Sequence, residues 1–100
     1  MPMYNVPTTH EYVSAIERDG FSDYANELHE GKSLHGVRLS VVPLWELGPP
    51  NPVAFVVDLE PESLAAYECT TEYHGYRQWV VPARIVNQAN RRLIRRHATL

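Results

Sequence analysis

Tyr76-Arg77-Gln78-Trp79-Val80-Val81-Pro82-Ala83 is the stretch from which the fold of this chain is read. His74-Gly75 just before it is a turn signal, and aromatic and β-branched residues crowd the segment that follows. Proline lacks the N–H that a strand ladder needs, so Pro82 sets the end. A strand is predicted over Arg77–Val81.

Upstream, Val53-Ala54-Phe55-Val56-Val57-Asp58-Leu59 is nearly continuous apolar sequence, the pattern of a strand buried on both faces. Gly48-Pro49-Pro50-Asn51-Pro52 cannot continue any regular element and forms a rigid loop before it. Val37 to Val42 is β-branched, stops at Pro43, and reads as a further strand. Pro61 and Glu62 begin a brief helical turn through Ala66. Near the N-terminus, Met3 to Val6 reads as a first strand halted by Pro7. Thr8-Thr9-His10-Glu11 has capping-box form, with Thr8 as the cap and Glu11 reaching back. Tyr12, Val13 and Ile16 then share one helical face, and Gly20 supplies a left-handed stop, so a helix is expected over Thr9–Asp19. Ser22 is read as the cap of a short helix through Tyr24, Ala25 and Leu28, ending near Gly31. In the C-terminal segment Val86, Ala89 and Leu93 suit a helix face, while the arginines around Leu93-Ile94 suit an edge strand. Taken together the order is α+β: a small, curved, mostly antiparallel sheet with one main helix packed on it.

At one hundred residues the chain is a single domain, able to bury roughly two-thirds of its unfolded surface. Its 44% hydrophobic content is ordinary, and no run approaches the ~18–20 apolar residues that span a bilayer, so no membrane role is expected. Met1-Pro2-Met3-Tyr4-Asn5 does not resemble a secretory signal. Cys69 is the only cysteine, which excludes an internal disulfide and suits a reducing compartment, so a cytoplasmic location is expected. The net charge of −3 is unevenly spread. Residues 1–83 hold four basic side chains against twelve acids, a balance of −8, while residues 84–100 hold five arginines and no acid, +5. Such polarity can steer an anionic partner to one end, or the arginines can simply pair with the acidic body or lie solvated.

Three separated pieces of the chain resemble ADP-ribosyltransferases of the His-Tyr-Glu kind, which include the poly(ADP-ribose) polymerases and the RNA 2′-phosphotransferases. Tyr4-Asn5-Val6-Pro7-Thr8-Thr9, with a helix ending in Asp19-Gly20-Phe21, is similar to the family's Tyr-His-Gly-Thr-Ser and following helix. Gly36-Val37-Arg38-Leu39-Ser40 resembles its glycine, aliphatic, aromatic, apolar, small pattern. The Tyr76–Ala83 stretch resembles its closing strand, an aromatic, a variable residue, a glutamate and an aromatic, ending near a proline. Order and spacing agree over about residues 3–87. The resemblance implies an ADP-ribosyltransferase-like sheet, closed by a C-terminal strand rather than a helix. It also implies NAD as cofactor, contacted by Tyr4, Asn5, Arg38 and Ser40, with Gln78 at the position of the catalytic glutamate.

Each motif departs where the chemistry would lie. The histidine that bonds the adenosine ribose falls on Asn5, whose amide can still bond a hydroxyl. The aromatic residue that stacks on nicotinamide falls on Arg38, whose charge repels the cationic ring of NAD⁺. The glutamate falls on Gln78, which keeps a hydrogen bond to the ribose and loses the charge. Cleavage of the nicotinamide–ribose bond passes through an oxocarbenium-like species that a fixed anion stabilises. At ~4 Å and an effective dielectric of ~20 that anion is worth about 4 kcal/mol, on the order of a thousandfold in rate. In a shifted register Glu68 or Glu72 would supply the carboxylate instead.

Three functions therefore compete: a very small ADP-ribosyltransferase-like enzyme that uses NAD⁺ to modify a protein, a nucleic acid or a small molecule, with its altered motifs pointing to weak or absent activity; a binding or inhibitor module on the same scaffold, a pseudoenzyme; and a nucleic-acid contact. The second would carry a nucleotide pocket or meet a protein partner, as among phage-borne anti-defence proteins. The third would use Arg91, Arg92, Arg95 and Arg96, with a log–log salt slope near −3 to −4 for about four neutralised phosphates. His10, His29, His35, His74 and His97 form no tight pair at ligand spacing, and with one cysteine no metal site is expected. There is no serine-nucleophile motif around Ser40 and no phosphate-binding glycine loop. Cys69 reads as a small apolar residue rather than a nucleophile. Of the two tryptophans, Trp45 beside the proline loop is expected to be the more exposed.

Overall fold

The structure, a computed structural model, describes residues 1–27 and 33–96. Six strands, β1 (Pro2–Asn5), β2 (Tyr24–Glu27), β3 (Ser33–Ser40), β4 (Val53–Asp58), β5 (Gln78–Val81) and β6 (Arg91–Arg95), form one antiparallel sheet. Its path is β2-β3-β1-β4-β6, with β5 attached to β3, and it does not close into a barrel. The main helix is α1 (His10–Asp19); α2 (Pro61–Leu64) and α3 (Ala83–Val86) are single turns. This is the α+β architecture that the sequence order implies.

β3 carries the sheet. Its first half pairs with β2, Tyr24 facing Gly36, and its second half with β5, Arg38 facing Val80 and Ser40 facing Gln78. Ser40 also faces Tyr4, so β1 and β5 lie on opposite edges of β3. At Gly36 an added Cβ would lie 2.8 Å from Val80 Cγ1 and 2.9 Å from the Val81 carbonyl oxygen, so no side chain fits there.

Opposed residues of an antiparallel pair share a face. Met3, Val37, Leu39, Phe55, Val57, Trp79 and Val81 accordingly line one face and form the core with Ile16 of α1, Phe21 and Val86. The ring of Phe21 meets that of Phe55 edge-on at 5.7 Å. β4 is buried from Val53 to Val57, as its unbroken apolar run requires.

Several sequence expectations are corrected. The cap of α1 is Thr9, whose hydroxyl accepts from the Tyr12 N–H at 3.2 Å, and not Thr8. Gly20 ends the helix at φ +83°, its N–H bonded to the Ile16 carbonyl at 2.8 Å. Tyr12 leaves the buried face of that helix and is 45% exposed, while Ile16 is 1% exposed. The short helix read after Ser22 is instead strand β2, whose Asn26 amide donates to the Leu34 and Gly36 carbonyls of β3. The expected remainder of that helix, Leu28 to Gly31, lies outside the described residues, as do His29 and His97. The ambiguous C-terminal segment resolves into α3 followed by strand β6. Trp45 is half-buried and Trp79 fully buried. Cys69 is half-buried, and burial raises its thiol pKa despite the nearby Arg38.

Candidate functional site

Asn5, Arg38 and Gln78, the positions that the resemblance singled out, meet in a chain of contacts across the sheet. Asn5 ends β1 and donates its amide N–H to the Arg38 carbonyl at 3.0 Å. Arg38 donates from Nε to Gln78 Oε1 at 3.0 Å, and Gln78 donates from Nε2 to the Thr71 carbonyl at 2.9 Å. The segment that supplies Thr71 turns back at His74-Gly75, where the Tyr73 and Tyr76 backbones exchange hydrogen bonds of 2.9 and 2.8 Å. His74 at φ +48° and Gly75 at φ +82° give that turn the paired left-handed residues of a tight hairpin. It presents the Tyr73 ring to the Arg38 guanidinium, 5.0 Å away. Burial lowers the pKa of Arg38, offset by the neighbouring Tyr73 and Cys69.

Proximity does not make these residues one wall. Asn5 faces Phe55 and so points to the α1 side of the sheet. Arg38, opposite Val80, and Gln78, opposite Ser40, point to the other side. A hollow of about 280 Å³ opens between β1, α1 and β2, bordered by Asn5, Tyr12, Tyr24, Asn26 and Arg38. Gln78 does not line it, is 3% exposed, and has both ends of its amide engaged inside the protein.

The hollow has a definite polarity. Asn5 Oδ1 is buried with no hydrogen-bond partner among the described residues, while its Nδ2 is fixed by the Arg38 carbonyl. The Tyr12 and Tyr24 rings, 5.2 Å apart and inclined at 58°, stand at its border. Neither tyrosine was singled out for function by the sequence. Tyr12 matched the helical apolar period, and Tyr24 sat in a segment with no strand signature.

The remaining candidates lie elsewhere. Tyr4 is half-buried on the face opposite Asn5. The Ser40 hydroxyl donates to the Val42 carbonyl at 2.7 Å and is buried. Glu68 is held by Arg77, which donates from Nε and Nη2 at 2.6 Å each and draws the carboxyl pKa below its usual range. Glu72 is exposed ahead of the Tyr73 turn. Neither carboxylate lines the hollow. Arg92, Arg95 and Arg96 are exposed at the β6 end of the sheet, and Arg91 donates to the Glu17 carbonyl at 3.1 Å. Among the described residues no three His, Cys, Asp or Glu gather as a metal ion would need, and no helix is long and apolar enough to cross a membrane.

Pockets for drug-sized ligands run from about 300 to 1,000 Å³, so a hollow of about 280 Å³ has room for one nucleoside-sized group and not both halves of a dinucleotide. Among the described residues no acidic side chain lines the hollow, and Arg38 at its border is turned to Tyr73 and Gln78. No family model, curated protein or solved structure matches this chain.

Proposed function

We propose that this chain is a non-catalytic binding module with an ADP-ribosyltransferase-like arrangement. In this reading it works in the cytoplasm, takes one nucleoside-sized part of NAD or a related nucleotide beside Asn5, and has weak or absent transferase activity. The observation that carries the reading is the confinement of Gln78. Its amide is neutral, buried and bonded at both ends, so it offers an oxocarbenium-like species neither charge nor reach. The hollow bordered by Asn5, Asn26 and the Tyr12 and Tyr24 rings supports the binding half, since amides and aromatic rings together suit the polar edge and flat face of a nucleoside base.

Incubation with labelled NAD⁺, reading nicotinamide release and transferred label, is expected to give no turnover above a Gln78→Ala control. Turnover that the control loses would overturn the non-catalytic half. For the binding half, adenosine or AMP should raise the melting temperature, and Asn5→Leu should abolish that rise. A melting temperature indifferent to both adenosine and AMP would reject the hollow as a nucleotide site.

A further inference from the structure

Strand β6 ends the sheet: it pairs with β4 and with no other described strand. Alternate residues along its outer edge therefore carry backbone N–H and C=O groups with no described strand to receive them. Along that edge runs Arg92-Leu93-Ile94-Arg95, with both arginines exposed and the two apolar residues half-buried. Neither arginine makes an ion pair among the described residues.

The register decides what such an edge can hold. Arg95 faces Val53 and points to the α1 side, whereas Arg92 faces Val56 and points to the other side. A phosphate chain laid over either face meets only one of them. An extended peptide lying in the plane of the sheet sends successive side chains to both faces and meets both. The two positions between them would lie against Leu93 and Ile94. An open groove of about 590 Å³ between α1 and β6, bordered by Phe55 and Leu93, leaves room for a side chain on the helix side. Glu17 at its border disfavours an acid opposite Arg91, so the acidic positions fall at Arg92 and Arg95.

We propose that the outer edge of β6 is a strand-addition site for an extended protein segment of the pattern acid, apolar, apolar, acid. Because Arg92-Leu93-Ile94-Arg95 has the same pattern from either end, that segment pairs equally well parallel or antiparallel. The −8 balance of residues 1–83 opposes a nucleic acid, which repeats its charge at every unit, more than a peptide carrying two acids. A second β6 is excluded as the occupant, since arginine would face arginine.

The test is anisotropy of a labelled Ser-Glu-Val-Val-Glu-Ser peptide titrated with the whole chain at low salt. Saturable binding is expected, weakened about tenfold or more by Arg92→Glu with Arg95→Glu. Both side chains are exposed, so the double variant should keep its far-UV circular dichroism. The reordered peptide Ser-Val-Glu-Glu-Val-Ser, equal in charge, should bind less well. N-methylation of one alternate set of peptide residues should abolish binding, and methylation of the other set should not. Absence of saturation, or indifference to both methylation patterns, overturns strand addition. A thymidine oligonucleotide of about twelve nucleotides that binds more tightly than the peptide would assign the arginines to nucleic acid instead.

Discussion

Gln78 is gripped from two directions, by the Arg38 guanidinium on its oxygen and the Thr71 carbonyl on its nitrogen. Leucine would fill nearly the same space and leave both half-buried partners without their hydrogen bond. Each stranded group costs ~1–3 kcal/mol, so Gln78→Leu should lower the urea-derived unfolding free energy by about 2–6 kcal/mol. A loss below ~0.5 kcal/mol would mean that water serves both groups in its place. Gln78→Glu would regain a charge, aim it at Arg38, and set an oxygen against the Thr71 carbonyl, so no NAD turnover should follow. The Glu68–Arg77 pair makes a separate prediction. Arg77 holds the folded carboxyl pKa below the ordinary value of ~4.3, so the stabilisation is present above pH ~4.3 and is lost as pH falls through the lower folded value. Glu68→Gln should therefore be less stable than the wild type at pH 7, by a small margin for an exposed pair, and the gap should close in acid. A gap that stays constant down to pH 2 would show that the ion pair contributes nothing.

Among the elements, β3 depends most on one residue. An alanine methyl at Gly36 would press on Val80 and on the Val81 carbonyl, a backbone atom held in β5 that has nowhere to go. Overpacking of this kind costs ~1–3 kcal/mol, so Gly36→Ala should lower the melting temperature by about 4–24 °C at roughly 4–8 °C per kcal/mol. An unchanged melting temperature would show that β5 shifts freely. The elements differ in how plainly the sequence announces them, for physical reasons. β4 and α1 advertise themselves because burial on both faces and a helix cap each leave a local residue pattern. β2 does not, because Tyr24-Ala25-Asn26-Glu27 alternates half-buried and exposed residues, and its hold on β3 includes the Asn26 amide, a bond between strands. β6 was legible as strand or helix alike, since an exposed arginine strand and a polar helix share a composition. The same limit applies to the site. Asn5 and Gln78 could be named only from the family resemblance, and their opposite facing follows from register and from the Tyr73 turn folding back over Arg38.

For the whole molecule, the pairing of strands distant in sequence governs behaviour. Met3 pairs with Val57, Leu39 with Trp79 and Ala54 with Ile94, while only β2 and β3 pair locally. A single buried cluster joins Met3, Ile16, Phe21, Phe55, Trp79 and Val86 from across the chain, so no piece retains a core if another leaves. Unfolding should then be all-or-none. Long-range antiparallel pairing sets refolding in the millisecond-to-second range, because loops must close before any contact rewards them. Trp79 inside the core can report on this once half-buried Trp45 is replaced by phenylalanine. In that background, urea transitions followed by fluorescence and by far-UV circular dichroism should coincide. Phe55→Ala, which empties the place where β4, Phe21 and α1 meet, should move both together by ~3–5 kcal/mol. Against a total of about 5–15 kcal/mol for a domain, that loss leaves the chain marginal. Transitions that separate, with dichroism surviving the Trp79 change, would reveal two independent folding units and refute a single core.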